Sequence, residues 1–221
     1  MASVYYVPQW FIGFDIMLEF LFAIVTAIVA IIAARMYQIS QEKNILHFSR
    51  GFLCISLSYF IWAIVNISIV KELIAGSPAV ILEKLSGFWL IGIYAYLFLF
   101  IAGLVTIVYA TLNIKRGDIY YLLLALPLIA IGGAYQKILI FRIVSVFLLA
   151  FIIYRELLAF MQSKKVNTLF VTLAFTFIFI SHVDLIFLTM RPTAYVLSHL
   201  LELGAYALLA ITLFRALKKH D

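Results

Sequence analysis

The chain reads as an all-α integral membrane protein, a bundle of seven transmembrane helices with the N-terminus outside and the C-terminus in the cytoplasm. Three observations predict this. Of 221 residues, 67% are hydrophobic and only 12% charged, and the mean hydropathy is +1.17, outside the range of soluble globular domains. Crossing a hydrocarbon core about 30 Å thick takes roughly 20 helical residues, and apolar runs of that length recur from residue 11 almost to the end. The third observation is the placing of the cations. Eleven Lys and Arg fall on one side of the predicted spans: Arg35, Lys43, Arg50, Lys115, Arg116, Arg155, Lys164, Lys165, Arg215, Lys218 and Lys219. Five fall on the other: Lys71, Lys84, Lys137, Arg142 and Arg191. The positive-inside rule puts the larger group in the cytoplasm.

The spans are expected at about 11–34, 48–70, 85–112, 119–135, 138–160, 168–190 and 194–217. The opening MASVYYVPQW carries no Lys or Arg, and the run after it outlasts a signal peptide, so the first span is read as retained. A polar connection, RMYQISQEKNILH, separates the first two spans. In KELIAGSPAVILEK, Gly76, Ser77 and Pro78 read as a turn, and residues 79–85 as a segment along the membrane interface. The fourth span is short and holds Pro127 with Gly132 and Gly133, which predicts a bend tolerated by neighbouring helices. One domain, 1–221, of a multi-pass cell-membrane protein accounts for the whole chain, with the lipid bilayer as its surroundings.

The net charge of +6 does not point to nucleic acid, because the basic residues are dispersed between apolar runs. The lone Cys54 forms no intrachain disulfide and reads as a small buried thiol. No internal repeat is found: Asp15 and Glu19 on the first span have no counterpart on the fifth, which carries Arg142. Tyr5, Tyr6, Trp10, Tyr120, Tyr121, Tyr135 and Tyr195 fall near span ends, where an interfacial aromatic belt explains them. Acids lean to the outer side: Asp15, Glu19, Glu72, Glu83, Asp184 and Glu202, against Glu42, Asp118, Glu156 and Asp221. Acids contribute little to insertion, so an outward-facing acidic site is the expected cause.

The candidate site centres on SHVDLIFLTMRPTAYVLSHLLE, residues 181–202. His182, Asp184, His199 and Glu202 lie inside apolar spans, where an ionisable side chain is a functional hypothesis by default. At a rise of about 1.5 Å per residue, His182, Glu202 and Glu19 each lie roughly 12 Å below the outer end of their helix, and His199 about 8 Å. Asp15 and Glu19 are four residues apart and share a face, as do His199 and Glu202, three apart. His182 and Asp184 diverge by about 200°. The expected division sends His182 to the His199–Glu202 pair and Asp184 to a structural ion pair with Arg142. Glu19, His182, His199 and Glu202 would then form the site, with Asp15 at its mouth.

Three chemistries suit those four residues. Imidazoles and carboxylates ligate zinc or another divalent transition metal. The same groups pass protons or bind a cation. They also form hydrogen-bonded knots that hold helices in register. Several other polar residues have ordinary explanations. Ser56, Ser58 and Asn66 are expected to bond to backbone or across helices, and His47 to sit solvated at the cytoplasmic edge beside Arg50. Gly87, Gly92 and Gly103 read as packing positions, and the glycosylation pattern at Asn66-Ile-Ser68 lies inside a span.

Retinal proteins are disfavoured because the seventh span has no mid-depth Lys, and sugar transporters built on three-helix repeats by the missing repeat. The set His182, His199 and an early Ser56 or Ser58 resembles the alkaline ceramidase-like membrane hydrolases. That resemblance implies a zinc held by histidines of late helices, although His199 and Glu202 stand where that family shows a two-histidine motif. The leading expectation is a protein that binds a cation, a divalent metal or proton, or a small ligand from the outer side, as a transporter or sensor component. A zinc-dependent intramembrane hydrolase and a structural subunit of a larger complex are the alternatives, and a protein partner or a second copy of the chain stays open.

Overall fold

A computed structural model describes residues 11, 13–74, 78–112, 117–186 and 192–218. Seven α-helices form among them: α1 Phe14–Ser40, α2 Lys43–Ile74, α3 Pro78–Leu112, α4 Gly117–Gly133, α5 Lys137–Ser163, α6 Val166–Ile186 and α7 Pro192–Lys218. The turn at Gly76 and Ser77, the end of the sixth span at 187–190 and the aromatics Tyr5, Tyr6 and Trp10 lie outside the described residues. Six helices are long and apolar enough to cross a membrane; α4, with 17 residues, is shorter. At 1.5 Å per residue α4 measures about 26 Å against a core of about 30 Å. The chain is thus an all-helical bundle of the membrane type.

Helix ends differ from the apolar runs, because hydropathy reports lipid contact and not helicity. The connection expected over 35–47 is mostly helical: α1 continues to Ser40 and α2 starts at Lys43. Arg, Met and Gln in that stretch are good helix formers whatever their polarity. The chain reverses at Gln41, whose φ of 57° is left-handed and whose N–H donates to the Tyr37 carbonyl at 2.8 Å. Lys164 ends α5 the same way, donating to the Phe160 carbonyl at 2.8 Å. Residues 79–85 are the start of α3 and not a separate interfacial segment; Pro78 occupies a first-turn position, where its missing N–H costs nothing. Helix α4 runs without interruption through Pro127.

Neighbour relations define the architecture. Helices α1, α2, α3, α5, α6 and α7 pack in that order, and α7 returns to α1, so the six membrane-length helices close a ring. Helix α4 lies outside it, against α3 and α5. Its residues are correspondingly exposed or half-buried, with Ile131 the buried exception. The interior holds large side chains: Phe22, Phe52, Phe100, Phe141, Phe175 and Tyr206 are fully buried.

Small residues bring the first helices together. Gly51 of α2 and Gly103 of α3 face each other, and a Cβ on Gly103 would stand 2.7 Å from the Gly51 carbonyl oxygen and 2.6 Å from Cγ1 of Ile55. Gly92 meets Val65 similarly, whereas Gly87 has open space around it. Ser49 donates to the Ala30 carbonyl at 2.8 Å and Ser56 to the Ala23 carbonyl at 2.7 Å, pinning α2 to α1. Ser58 donates within its own helix, to Ile55, at 2.6 Å. His47 is half-buried and packs edge-on against Tyr109, with ring centroids 5.2 Å apart.

Candidate functional site

A small cavity opens inside the ring toward the end where α1 and α7 begin and α6 finishes. Its volume is about 90 Å³, and every ring helix contributes to its wall. Glu19 comes from α1, Tyr59 and Trp62 from α2, Tyr96 from α3, Phe141 and Arg142 from α5, Leu185 from α6, and Tyr195, His199 and Glu202 from α7. Glu19, Glu202 and His199 are 1%, 5% and 7% exposed, so their polar atoms depend on protein partners.

Those partners are neutral. Glu202 accepts from the Ser181 hydroxyl at 2.7 Å through Oε1 and from the Tyr59 hydroxyl at 3.0 Å through Oε2. Tyr59 in turn shares a 2.9 Å hydrogen bond with Tyr206. Glu19 accepts from Nδ2 of Asn66 at 2.7 Å through Oε1, while its Oε2 is buried without a partner. His199 donates from Nδ1 to the Tyr195 carbonyl at 2.9 Å. A carbonyl only accepts, so the proton is on Nδ1, and Nε2 is the nitrogen left for other chemistry. Three aromatic rings hold the imidazole, with centroids at 4.4 Å for Tyr195, 5.9 Å for Phe22 and 6.0 Å for Phe11.

Two further features complete the wall. Arg142 is a positive charge in the same lining as the two carboxyls. Trp62 stacks on Tyr96 at 4.9 Å with planes 27° apart, each ring covering one face of the other.

The expected four-residue site is therefore brought together in part. Glu19, His199 and Glu202 share the cavity; His182 does not line it. The His182 ring lies between Phe100 and Phe141, at 5.2 and 6.0 Å, and both its nitrogens are buried without a partner. Ser181, the preceding residue, takes the place facing Glu202. Among the described residues no group of three or more His, Cys, Asp or Glu side chains could hold a metal ion. The four-ligand zinc set expected from Glu19, His182, His199 and Glu202 is thus not assembled among the described residues. Ser56 and Ser58, the serines suggested by the hydrolase resemblance, are occupied by backbone carbonyls.

Asp15, expected at the mouth, is 2% exposed and turned onto its own helix start, where Oδ1 accepts from the N–H groups of Gly13 and Ile16 at 2.9 Å each. The ion pair expected between Arg142 and Asp184 is not formed: Arg142 is part of the cavity wall, and Asp184 is half-buried on another face of α6. The divergence of His182 and Asp184 holds, but their directions differ from the expectation. His182 faces α3 and α5, Ser181 and Leu185 face the cavity side, and Asp184 falls on the far side of that pair.

Four contributors were not singled out as site residues in the sequence: Tyr59, Trp62, Tyr96 and Ser181. Aromatics and hydroxyls are so common in apolar helices that only their partners distinguish these. No protein-family model matches the chain, and no curated protein or solved structure matches it either. Function has to be read from the chemistry of the cavity alone.

Proposed function

We propose that this chain is a seven-span membrane protein, N-terminus outside, that binds a small monovalent cation from the outer side in the Glu19–His199–Glu202 cavity, as a transporter or sensor component. The observation that carries the reading is the unpartnered, buried Oε2 of Glu19, on a cavity shared with a second carboxyl. A buried carboxylate needs a cation or a proton, and the neutral donors Asn66, Ser181 and Tyr59 supply neither.

Size and charge support a small ion. A cavity of about 90 Å³ has room for a small cation and accompanying water; drug-sized ligands need about 300 Å³ or more. With Glu19 and Glu202 both ionised opposite Arg142, one negative charge would be left for a monovalent ion to neutralise. The ring faces that the Trp62–Tyr96 stack leaves uncovered would favour ammonium-type ions, which bind such faces well.

The test uses the full chain in detergent. Thermal unfolding is followed while sodium, ammonium or choline chloride is raised at constant ionic strength. A rise in Tm with one small cation, lost in Glu19→Gln, is the expected result. An identical response in wild type and Glu19→Gln would overturn the reading.

The second reading is a polar knot that fixes α1, α2, α6 and α7 in register within a structural subunit. It is favoured by the full satisfaction of Glu202 by Ser181 and Tyr59. Under it, Glu19→Gln changes stability equally in every salt.

A further inference from the structure

At the opposite end of the α1–α7 seam lies a second, larger groove of about 690 Å³. None of its lining residues lines the polar cavity. Its walls are Ile28 and Ile32 of α1 and Ile211 and Phe214 of α7, and it ends at Arg215 and Lys218. Ile28, Ile211 and Phe214 are 44%, 50% and 60% exposed, and all lie within membrane-length helices, so lipid is the natural contact of this face. The spacing is regular. Ile211, Phe214, Arg215 and Lys218 follow the three-, four- and seven-residue steps of a single helix face, and Arg35 continues the Ile28–Ile32 row one turn further along α1.

We propose that this groove binds an anionic phospholipid, with an acyl chain along the isoleucines and Phe214 and the headgroup phosphate held by Arg215 and Lys218. Three features select that occupant. The apolar wall and the basic end lie in line along the helix axes, matching the order of acyl chain and headgroup. No acid lines the groove, so an anion meets no repulsion there. Arg215 and Lys218 fall in the last turn of α7, where the proposed orientation puts them at the cytoplasmic leaflet, the leaflet rich in anionic lipid. Cations at a helix C-terminus also favour the helix dipole, but that role needs no groove and discriminates between no lipids.

The proposal is tested on the full chain in detergent. It is titrated separately with phosphatidylglycerol, phosphatidylcholine and inorganic phosphate, reading Tm and, by native mass spectrometry, retained lipid. The expected result is a preference for phosphatidylglycerol over phosphatidylcholine on the order of 30-fold, as two basic side chains supply near an anionic headgroup. Arg215→Gln with Lys218→Gln should abolish it, and Arg215→Lys with Lys218→Arg should keep it. Equal binding of the two lipids, an unchanged preference in the glutamine variant, or a shift reproduced by inorganic phosphate alone would each overturn it. Glu19→Gln leaves this preference intact, so failure here and failure of the cation reading are separable.

Discussion

Ser181 donates its hydroxyl to Glu202 at 2.7 Å across the α6–α7 interface, while His182, one residue on, turns about 100° away into the aromatic contacts of Phe100 and Phe141. Opposite outcomes follow for the two neighbours. Ser181→Ala strips one donor from a buried carboxyl and should destabilise by about 1–3 kcal/mol. His182→Phe replaces a ring whose two nitrogens have no partner by an apolar ring of similar shape, and should be neutral or stabilising. Reversible unfolding in mixed micelles measures both, and a large loss for His182→Phe beside a neutral Ser181→Ala would return His182 to the site.

Asn66 donates from Nδ2 to Glu19 at 2.7 Å, across α1 and α2. Asn66→Leu should cost about 1–3 kcal/mol, because the Glu19 carboxyl stays buried without its amide. Combining it with Glu19→Leu should recover part of that loss, since removing both polar partners removes the unsatisfied group. A double-mutant cycle reads the coupling directly; additive losses would mean the two side chains act independently.

The α2–α3 crossing should be sensitive at one glycine and indifferent at another. Gly103→Ala places a Cβ 2.7 Å from the Gly51 carbonyl oxygen, a backbone atom that moves only with its helix, so a loss of about 1–3 kcal/mol is expected. Gly87→Ala on the same helix meets nothing within 4 Å and should be neutral or slightly stabilising. Equal effects at the two positions would contradict the close approach.

Much of the architecture was legible in the chain because lipid imposes a simple rule: each crossing must be apolar and helical over a set length. Residue 14 to residue 218 follows that rule at six of the expected spans. Two things escaped it. Helix ends did, since Arg35 through Ser40 and Lys43 through His47 are polar yet helical. So did the position of α4 outside the ring, because hydropathy carries no information about neighbours. Depth and facing brought Glu19, His199 and Glu202 into one layer, and the structure keeps them on one cavity. Facing could establish that His182 and Asp184 diverge, but an absolute direction requires the helix rotation, which no single residue supplies. Arg142 illustrates the same limit: its depth was right for the site, yet a lone membrane Asp looked the better partner. Ser181 went unremarked because a hydroxyl in an apolar helix commonly bonds to its own backbone, as Thr26 and Ser198 do here.

The central claim, that Glu19 takes up a small cation inside the ring, is tested most directly by the infrared difference spectrum of the purified full chain on adding ammonium chloride, with choline chloride as reference. The account predicts a carboxyl band change on ammonium that disappears in Glu19→Gln and is altered but present in Glu202→Gln. A spectrum that does not respond to ammonium, or one that responds identically in wild type and Glu19→Gln, would contradict it.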